Sequence, residues 1–175
     1  MDIISLYPYI NYSLYYPVKT PEIIRPDIPY VYWTLPEQIE HEGLYKVRVV
    51  PPKELFLPVL PMRVNKNDPR LMFMLCIKCA NTKSKEGPVL KGPITCNHSE
   101  KERGWTSTMT SIELRTALQQ GYIITRCYRI WKYNEFDNLF MEYVQTFMKM
   151  KIESSGLPSD IQTDEQKMEW ATGIL

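Results

Sequence analysis

From Leu44 to Val50 the apolar residues Tyr45, Val47 and Val49 alternate with Lys46 and Arg48. A period of two sends successive side chains to opposite faces and predicts a half-buried strand. A second β-rich run spans Tyr122 to Trp131, although Arg126 and Arg129 break its alternation. Between these runs the pattern turns helical: Thr110 and Glu113 form a T-x-x-E capping box, Leu114, Ala117 and Leu118 share one face, and Gly121 stands where the helix stops. After a turn at 134–137, Phe140, Tyr143, Val144, Phe147 and Met148 recur at helical spacing. At the start, Asp2 to Leu6 predicts a short strand, and Pro8 is placed to open a brief helical turn that Pro17 ends. Pro17, Pro21, Pro26, Pro29 and Pro36 exclude a regular helix or a central strand from 17–36, so this segment is expected to run over the surface. The predicted fold class is α+β with an irregular middle and no internal repeat.

Composition narrows the picture only in part. A chain of 175 residues that is 44% hydrophobic can bury one core. A net charge of +1 gives no electrostatic footprint for nucleic acid, so any such contact rests on motifs. No run approaches the ~20 apolar residues of a membrane helix, and no basic region with an apolar core and cleavage site opens the chain. No membrane partner is expected. Four cysteines without a signal peptide do not describe a disulfide framework, so an intracellular, reducing setting is expected, with nucleus, organelle and virus all open.

Two constellations carry candidate chemistry. In Asp2-Ile3-Ile4-Ser5-Leu6-Tyr7-Pro8 a carboxylate heads an apolar strand that turns at Tyr7-Pro8. Such a carboxylate can hold Mg²⁺ while the amides after it meet a triphosphate; the alternative is a solvated N-terminal Asp. The second is Cys76-x-x-Cys79 with Cys96-x-His98. A C-x-x-C turn lets both thiolates meet one tetrahedral ion, and a one-residue spacing suits an extended segment with alternate side chains on one face. The choice lies between a structural Zn²⁺ and ordinary buried thiols. Four protein ligands leave no open position for a catalytic water. Cys127, on a predicted strand, is expected in the core, and His41 at the surface. Tyr7, Tyr9, Tyr12, Tyr15 and Tyr16 either stack on bases or pack with hydroxyls at the rim. Lys151 reads by itself as a solvated lysine opposing a helix dipole, and Lys149 lies on another face.

Residues 2–8 have the form D-x-x-S-L-Y-P, and here the chain resembles the family B DNA polymerases, in their protein-primed organellar, viral and Polinton (Maverick) branch. Tyr16-Pro17-Val18 with Pro21-Glu22-Ile23-Ile24 looks like the stretch that follows this motif. Gly43 to Pro52 with Leu57 to Pro61 resembles the next strand and its Pro-rich exit, and Leu139 to Val144 through Lys151 to Gly156 resembles the first fingers helix.

The resemblance implies two-metal nucleotidyl transfer onto a DNA primer-template from deoxynucleoside triphosphates. In it Asp2 is the catalytic carboxylate bridging both Mg²⁺ ions, and the Ile3 backbone is a further ligand. Ser5 and Leu6 offer amides to the phosphates, Tyr7 lies beneath C2′ of the sugar, and Lys151 meets the triphosphate. It also implies a partial palm at 1–50 and an insertion at 51–105, in the place where the family contacts a terminal protein. It adds weight to a structural Zn²⁺ in that insertion at Cys76, Cys79, Cys96 and His98, with ordinary buried thiols still the alternative. A palm helix and strand at 106–135 and the start of the fingers at 136–175 follow. The departures are as informative. No D-x-D and no K-x-x-x-N-S-x-Y/F-G occurs in the sequence, and no exonuclease domain is expected before Met1. The expectation is a fragment of a DNA polymerase that is inactive alone; a zinc-ribbon-like binding module and an inactive domesticated mobile-element remnant are the competing readings.

Overall fold

A computed structural model describes residues 6–65, 68–86, 96–155 and 163–167. Among these the order is α1 (Leu6–Ser13), β1 (Tyr16–Val18), β2 (Glu22–Ile24), β3 (Tyr30–Trp33), a 3₁₀ turn at Pro36–Gln38, β4 (Gly43–Val50), β5 (Met62–Asn65) and β6 (Asp68–Met72). Then come α2 (Ile77–Glu86), α3 (Glu100–Arg103), β7 (Trp105–Thr110), α4 (Ser111–Gln119), β8 (Ile123–Lys132), β9 (Glu135–Asp137) and α5 (Met141–Ser155). This mixture of helices with antiparallel sheet is the predicted α+β class. No helix among the described residues is long and apolar enough to cross a membrane. The chain forms two compact units, Lys19–Asn134 and, separately, Met1–Val18 with Glu135–Leu175.

The larger unit is built on a sheet of order β2-β8-β4-β7, with β3 also paired to β8. The predicted alternation of β4 holds, since Tyr45, Val47 and Val49 are fully buried and Lys46 is exposed. β8 shows why its own alternation looked broken. Its register against β4 shifts twice, so Lys46 faces Arg129, Val47 faces Cys127, Arg48 faces Arg126 and Val49 faces Ile124. The two bulges re-phase the strand. Ile124, Cys127 and Ile130 all turn inward, spaced by three instead of two, and join the core.

α4 lies on that core through Leu114, Ala117 and Leu118. Its predicted cap is formed: Thr110 Oγ1 accepts the Glu113 amide at 3.2 Å, and the Thr110 amide donates to Glu113 Oε2 at 2.8 Å. The N-terminus of α4 is also tied to the turn before β4. Ser111 Oγ donates to Glu42 Oε2 at 2.6 Å, Arg115 pairs with Glu42, and Arg115 Nη2 donates to the Ile39 carbonyl at 2.9 Å.

Three expectations need correction. Leu6, expected to end a strand, opens α1 with Pro8 in its first turn, where a missing amide costs nothing. Asp2 to Ser5 lie outside the described residues. The Pro-rich stretch 17–36 has no buried residue, as expected, yet it contributes β2 and β3 as short strands along β8. Pro21, Pro26 and Pro29 fall between strands, where no ladder amide is needed. Finally, the middle is less irregular than expected, for it holds the β5–β6 hairpin, α2 and α3, with β7 closing the sheet edge.

In the smaller unit β1 pairs with β9, Tyr16 packs edge-on against Phe140 with ring centroids 5.1 Å apart, and α1 packs beside α5. Asn138 accepts the Met141 amide at 3.1 Å, capping α5, and donates to the Tyr12 carbonyl at 2.7 Å.

Two stability tests follow. Gly43 has φ +148°, and a Cβ there would stand 1.9 Å from the Trp131 carbonyl oxygen, which the ladder holds in place. Gly43→Ala is expected to cost at least about 2 kcal/mol in denaturant unfolding, whereas Gly121→Ala, at φ +81° with only Pro52 Cβ nearby, should cost about 1–2 kcal/mol. The Ser111 hydroxyl, opposed by partial burial and aided by Arg115, holds the Glu42 carboxyl below its usual range. Glu42 therefore stabilises the fold above the ordinary Glu value near about 4.3 and loses that contribution as pH falls below it. Glu42→Gln should flatten this part of the acid-unfolding profile.

Candidate metal centre

Cys76 immediately precedes α2, and its sulfur takes the role of a cap, accepting the Cys79 amide at 3.4 Å while its carbonyl accepts the Ala80 amide at 3.0 Å. Both thiols of the C-x-x-C thus stand at the N-terminal end of α2. Cys96 and His98 lead into α3 from the other side. Ser99 caps that helix, donating to Glu102 Oε2 through its amide at 3.0 Å and its hydroxyl at 2.9 Å.

α3 is bolted to the sheet. Arg48 on β4 donates to the Gly104 carbonyl at 3.1 Å and to the Lys101 carbonyl at 2.7 Å, and buried Arg103 donates to the Pro51 carbonyl. A Cβ on Gly104 would approach the Val49 carbonyl oxygen to 2.6 Å, so only glycine fits this contact. Lys78 of α2 and Glu102 of α3 form an exposed ion pair.

The four predicted ligands converge. His98 Nδ1 lies 3.4 Å from Cys76 Sγ, 3.3 Å from Cys79 Sγ and 3.5 Å from Cys96 Sγ. All four donor atoms lie within 4.8 Å of one another. Zinc–sulfur and zinc–nitrogen bonds of about 2.3 and 2.0–2.1 Å at a tetrahedral angle require sulfur–nitrogen edges of roughly 3.5–3.6 Å. The donor set and its dimensions therefore fit a tetrahedral ion. All four cysteines of the chain are free, and Cys127 is fully buried in the core as expected, its thiol pushed up to about 11 by burial.

Crowding splits the thiols. Burial, hydrogen bonds to Cys76 and Cys96 and their charge push Cys79 up to about 12. Burial opposes ionisation of Cys96 too, yet hydrogen bonds from the His98 backbone and ring bring it down to about 7. A cleft of about 380 Å³ opens beside the cluster, lined by Lys53 and by Met72, Phe73, Met74 and Leu75.

Of the other predicted residues, Asp2, Ile3 and Ser5 lie outside the described residues. Leu6 opens α1, Tyr7 follows it with 81% of its surface exposed, and Lys151 is exposed in the last turns of α5. α1 and α5 pack together, so Tyr7 and Lys151 ride on neighbouring helices. Lys149 is exposed, as expected. His41 does more than face solvent: its backbone amide donates to the Tyr45 hydroxyl at 3.0 Å, and that hydroxyl donates back to its carbonyl at 2.9 Å. Among the clustered tyrosines, Tyr16 packs with its hydroxyl donating to Asn11 Oδ1 at 2.8 Å, whereas Tyr9 and Tyr15 are exposed.

Arg48 and Arg103, which seat the second half of the cluster, carried no local signal of that role. The spacing Ser99-x-x-Glu102 did, as a capping box in the sequence.

Compared with known proteins, residues 1–164 match the family described as DNA polymerase type B, organellar and viral. No curated protein and no solved structure matches the chain. Enzymes of this family are DNA-directed DNA polymerases; they replicate DNA by nucleotidyl transfer from deoxynucleoside triphosphates, generally with Mg²⁺. With its match covering nearly the whole sequence, the chain belongs to the organellar and viral type B DNA polymerases.

Proposed function

We propose that the chain supplies the first metal-binding strand of the palm and the first fingers helix of a protein-primed DNA polymerase of the Polinton (Maverick) type. The family match over residues 1–164 supports the polymerase part of this reading, and the D-x-x-S-L-Y-P motif with the segments that follow it supports the rest. In it Asp2 and the Ile3 carbonyl hold Mg²⁺, which when bound supplies the activated primer hydroxyl and neutralises the triphosphate. Ser5 and Leu6 direct amides at the phosphates. The opening of α1 at Leu6 supports this, since first-turn amides have no partner within a helix. Tyr7 presents its ring to the sugar and excludes a 2′-hydroxyl; its exposure supports that role. The Lys151 ammonium meets charge that builds on the phosphate oxygens.

In this reading residues 1–50 belong to the palm, 51–105 face a terminal priming protein and DNA, 106–135 return to the palm, and 136–175 begin the fingers. The insertion holds a structural Zn²⁺ at Cys76, Cys79, Cys96 and His98, and a reducing intracellular setting keeps those thiols available. A second catalytic carboxylate has no D-x-D to come from in this sequence.

The purified chain should give no template-dependent incorporation; incorporation would overturn its dependence on a second carboxylate. Joined to polypeptide carrying the D-T-D and N-S-x-Y/F-G elements, it should polymerise. There Asp2→Asn should lower kcat at least about a thousandfold, and an active Asp2→Asn enzyme would sink the metal assignment. In the same assembly Tyr7→Ala should raise kcat/KM for ribonucleotides relative to deoxyribonucleotides, and an unchanged ratio would remove Tyr7 from sugar selection.

The convergence of four ligands favours one second reading, a zinc-ribbon-like binding module. Stoichiometric zinc with DNA or protein binding, but no binding of deoxynucleoside triphosphates by the completed assembly, would select it.

A further inference from the structure

We propose that zinc, bound by Cys76, Cys79, Cys96 and the Nδ1 atom of His98, is the tie that folds α2 onto α3 and so completes the segment between β6 and β7. The inference rests on the cluster being a zinc site and is independent of polymerase activity.

The packing around the cluster leaves this task to an ion. Among the described side chains of α2, Ala80 alone is fully buried, and on α3 only Arg103 is. Of the described apolar side chains of α2, Ala80 and half-buried Ile77 reach the core of the sheet. The ion pair between α2 and α3, Lys78 with Glu102, is solvent-exposed, and exposed pairs contribute little. Yet the ends of a long chain excursion, Cys79 and Cys96, bring their sulfurs into contact with one imidazole nitrogen. Three thiols and a histidine drawn this close, without a disulfide, are a donor set waiting for a soft, tetrahedral cation.

The donor atoms also define the kind of ion. Three sulfurs and one imidazole nitrogen exclude Mg²⁺ and Ca²⁺, which take oxygen. Four protein donors close the coordination shell, so the ion is structural. On binding, each thiol loses its proton to solvent, and three thiolates with a neutral imidazole leave the zinc centre with one net negative charge. Two features receive that charge: the N-terminus of α2, and the Lys78 ammonium, which lies within the electrostatic reach of Cys76 and Cys79.

The anchoring of α3 makes the effect directional. Arg48 and Arg103 hold α3 to β4 and to Pro51 by hydrogen bonds, whereas the described side chains of α2 meet the core through Ala80 and half-buried Ile77, beside β5. Zinc thus fastens the loosely held helix to the one already seated on the sheet.

The test uses the full chain. Elemental analysis should find one zinc per chain, and replacement by Co²⁺ should give thiolate charge-transfer and tetrahedral d–d bands. Cys96→Ser and His98→Ala should alter these bands, His98→Cys should restore a tetrahedral spectrum, and Cys127→Ala should leave them unchanged. By hydrogen exchange, zinc removal should speed amide exchange in α2 and α3 by roughly a hundredfold or more, while β4, β7 and β8 stay protected. Absence of zinc, or a Co²⁺ spectrum that is not tetrahedral, would overturn the site. Unchanged exchange in α2 and α3, or equal loss across the sheet, would overturn the tie. Neither result bears on nucleotide transfer.

Discussion

The larger unit depends on one strand being gripped from both sides. β4 exchanges ladder bonds with β7 and with β8, and its inward residues Tyr45, Val47 and Val49 form the floor of the core. Fully burying side chains of this size is worth about 1.5–3 kcal/mol each. β4 also sets positions on both sides of itself. Ahead of it, Gly43 presses against the Trp131 backbone and Glu42 receives Ser111 and Arg115, which fixes α4. Along it, Arg48 reaches the carbonyls that end α3. A displaced β4 would therefore move the core, the covering helix and half of the cysteine cluster together.

The cluster obeys a different economy. Among the described side chains of α2 only Ala80 is fully buried, with Ile77 half-buried against the core. Burial on that scale contributes about 1–3 kcal/mol, whereas ordering the helix costs about 1–2 kcal/mol per residue in backbone entropy. Burial loses that comparison. Apparent binding free energies of about 10–16 kcal/mol for structural zinc are of the size needed to reverse it. The sheet can thus be held by apolar packing while the segment attached to its edge is held by coordination, each by the means its composition permits.

How much of this was legible in the sequence follows from the range of each interaction. β4 and α4 were legible because their signals are local: a period of two in one case, a capping box and an apolar face in the other. β8 was legible as a strand but not in its phase, because bulges at Tyr128 and Thr125 are set by pairing with β4. β7 was missed although Thr106, Thr108 and Thr110 alternate with Trp105 and Met109, a β-branched pattern placed against a capping signal that drew the reading toward helix. The short strands β2 and β3 exist because the long β8 offers them an edge, which no window around Pro21 to Pro36 contains. The metal cluster was readable because ligand spacing is a local property. Its seating was not, since Arg48 and Gly104 are 56 residues apart. For the D-x-x-S-L-Y-P motif the described residues begin at Leu6, so sequence and family carry Asp2, Ile3 and Ser5.

The two sets of candidate residues fall in different units. The motif residues and Lys151 belong to the smaller unit, the cysteine cluster to the larger, and the larger is inserted between the two stretches of the smaller. The chain leaves the smaller unit at Val18 and re-enters it at Glu135, residues that face each other in the antiparallel β1–β9 pair. Adjacent exit and entry points let a long excursion be accommodated, since loop-closure entropy grows only as the logarithm of length. The pairing also isolates consequences: Tyr16 on Phe140 and Asn138 on Tyr12 are contacts wholly within the smaller unit. The contacts that hold α1 against α5, the helices that bear Tyr7 and Lys151, thus lie within the smaller unit by itself.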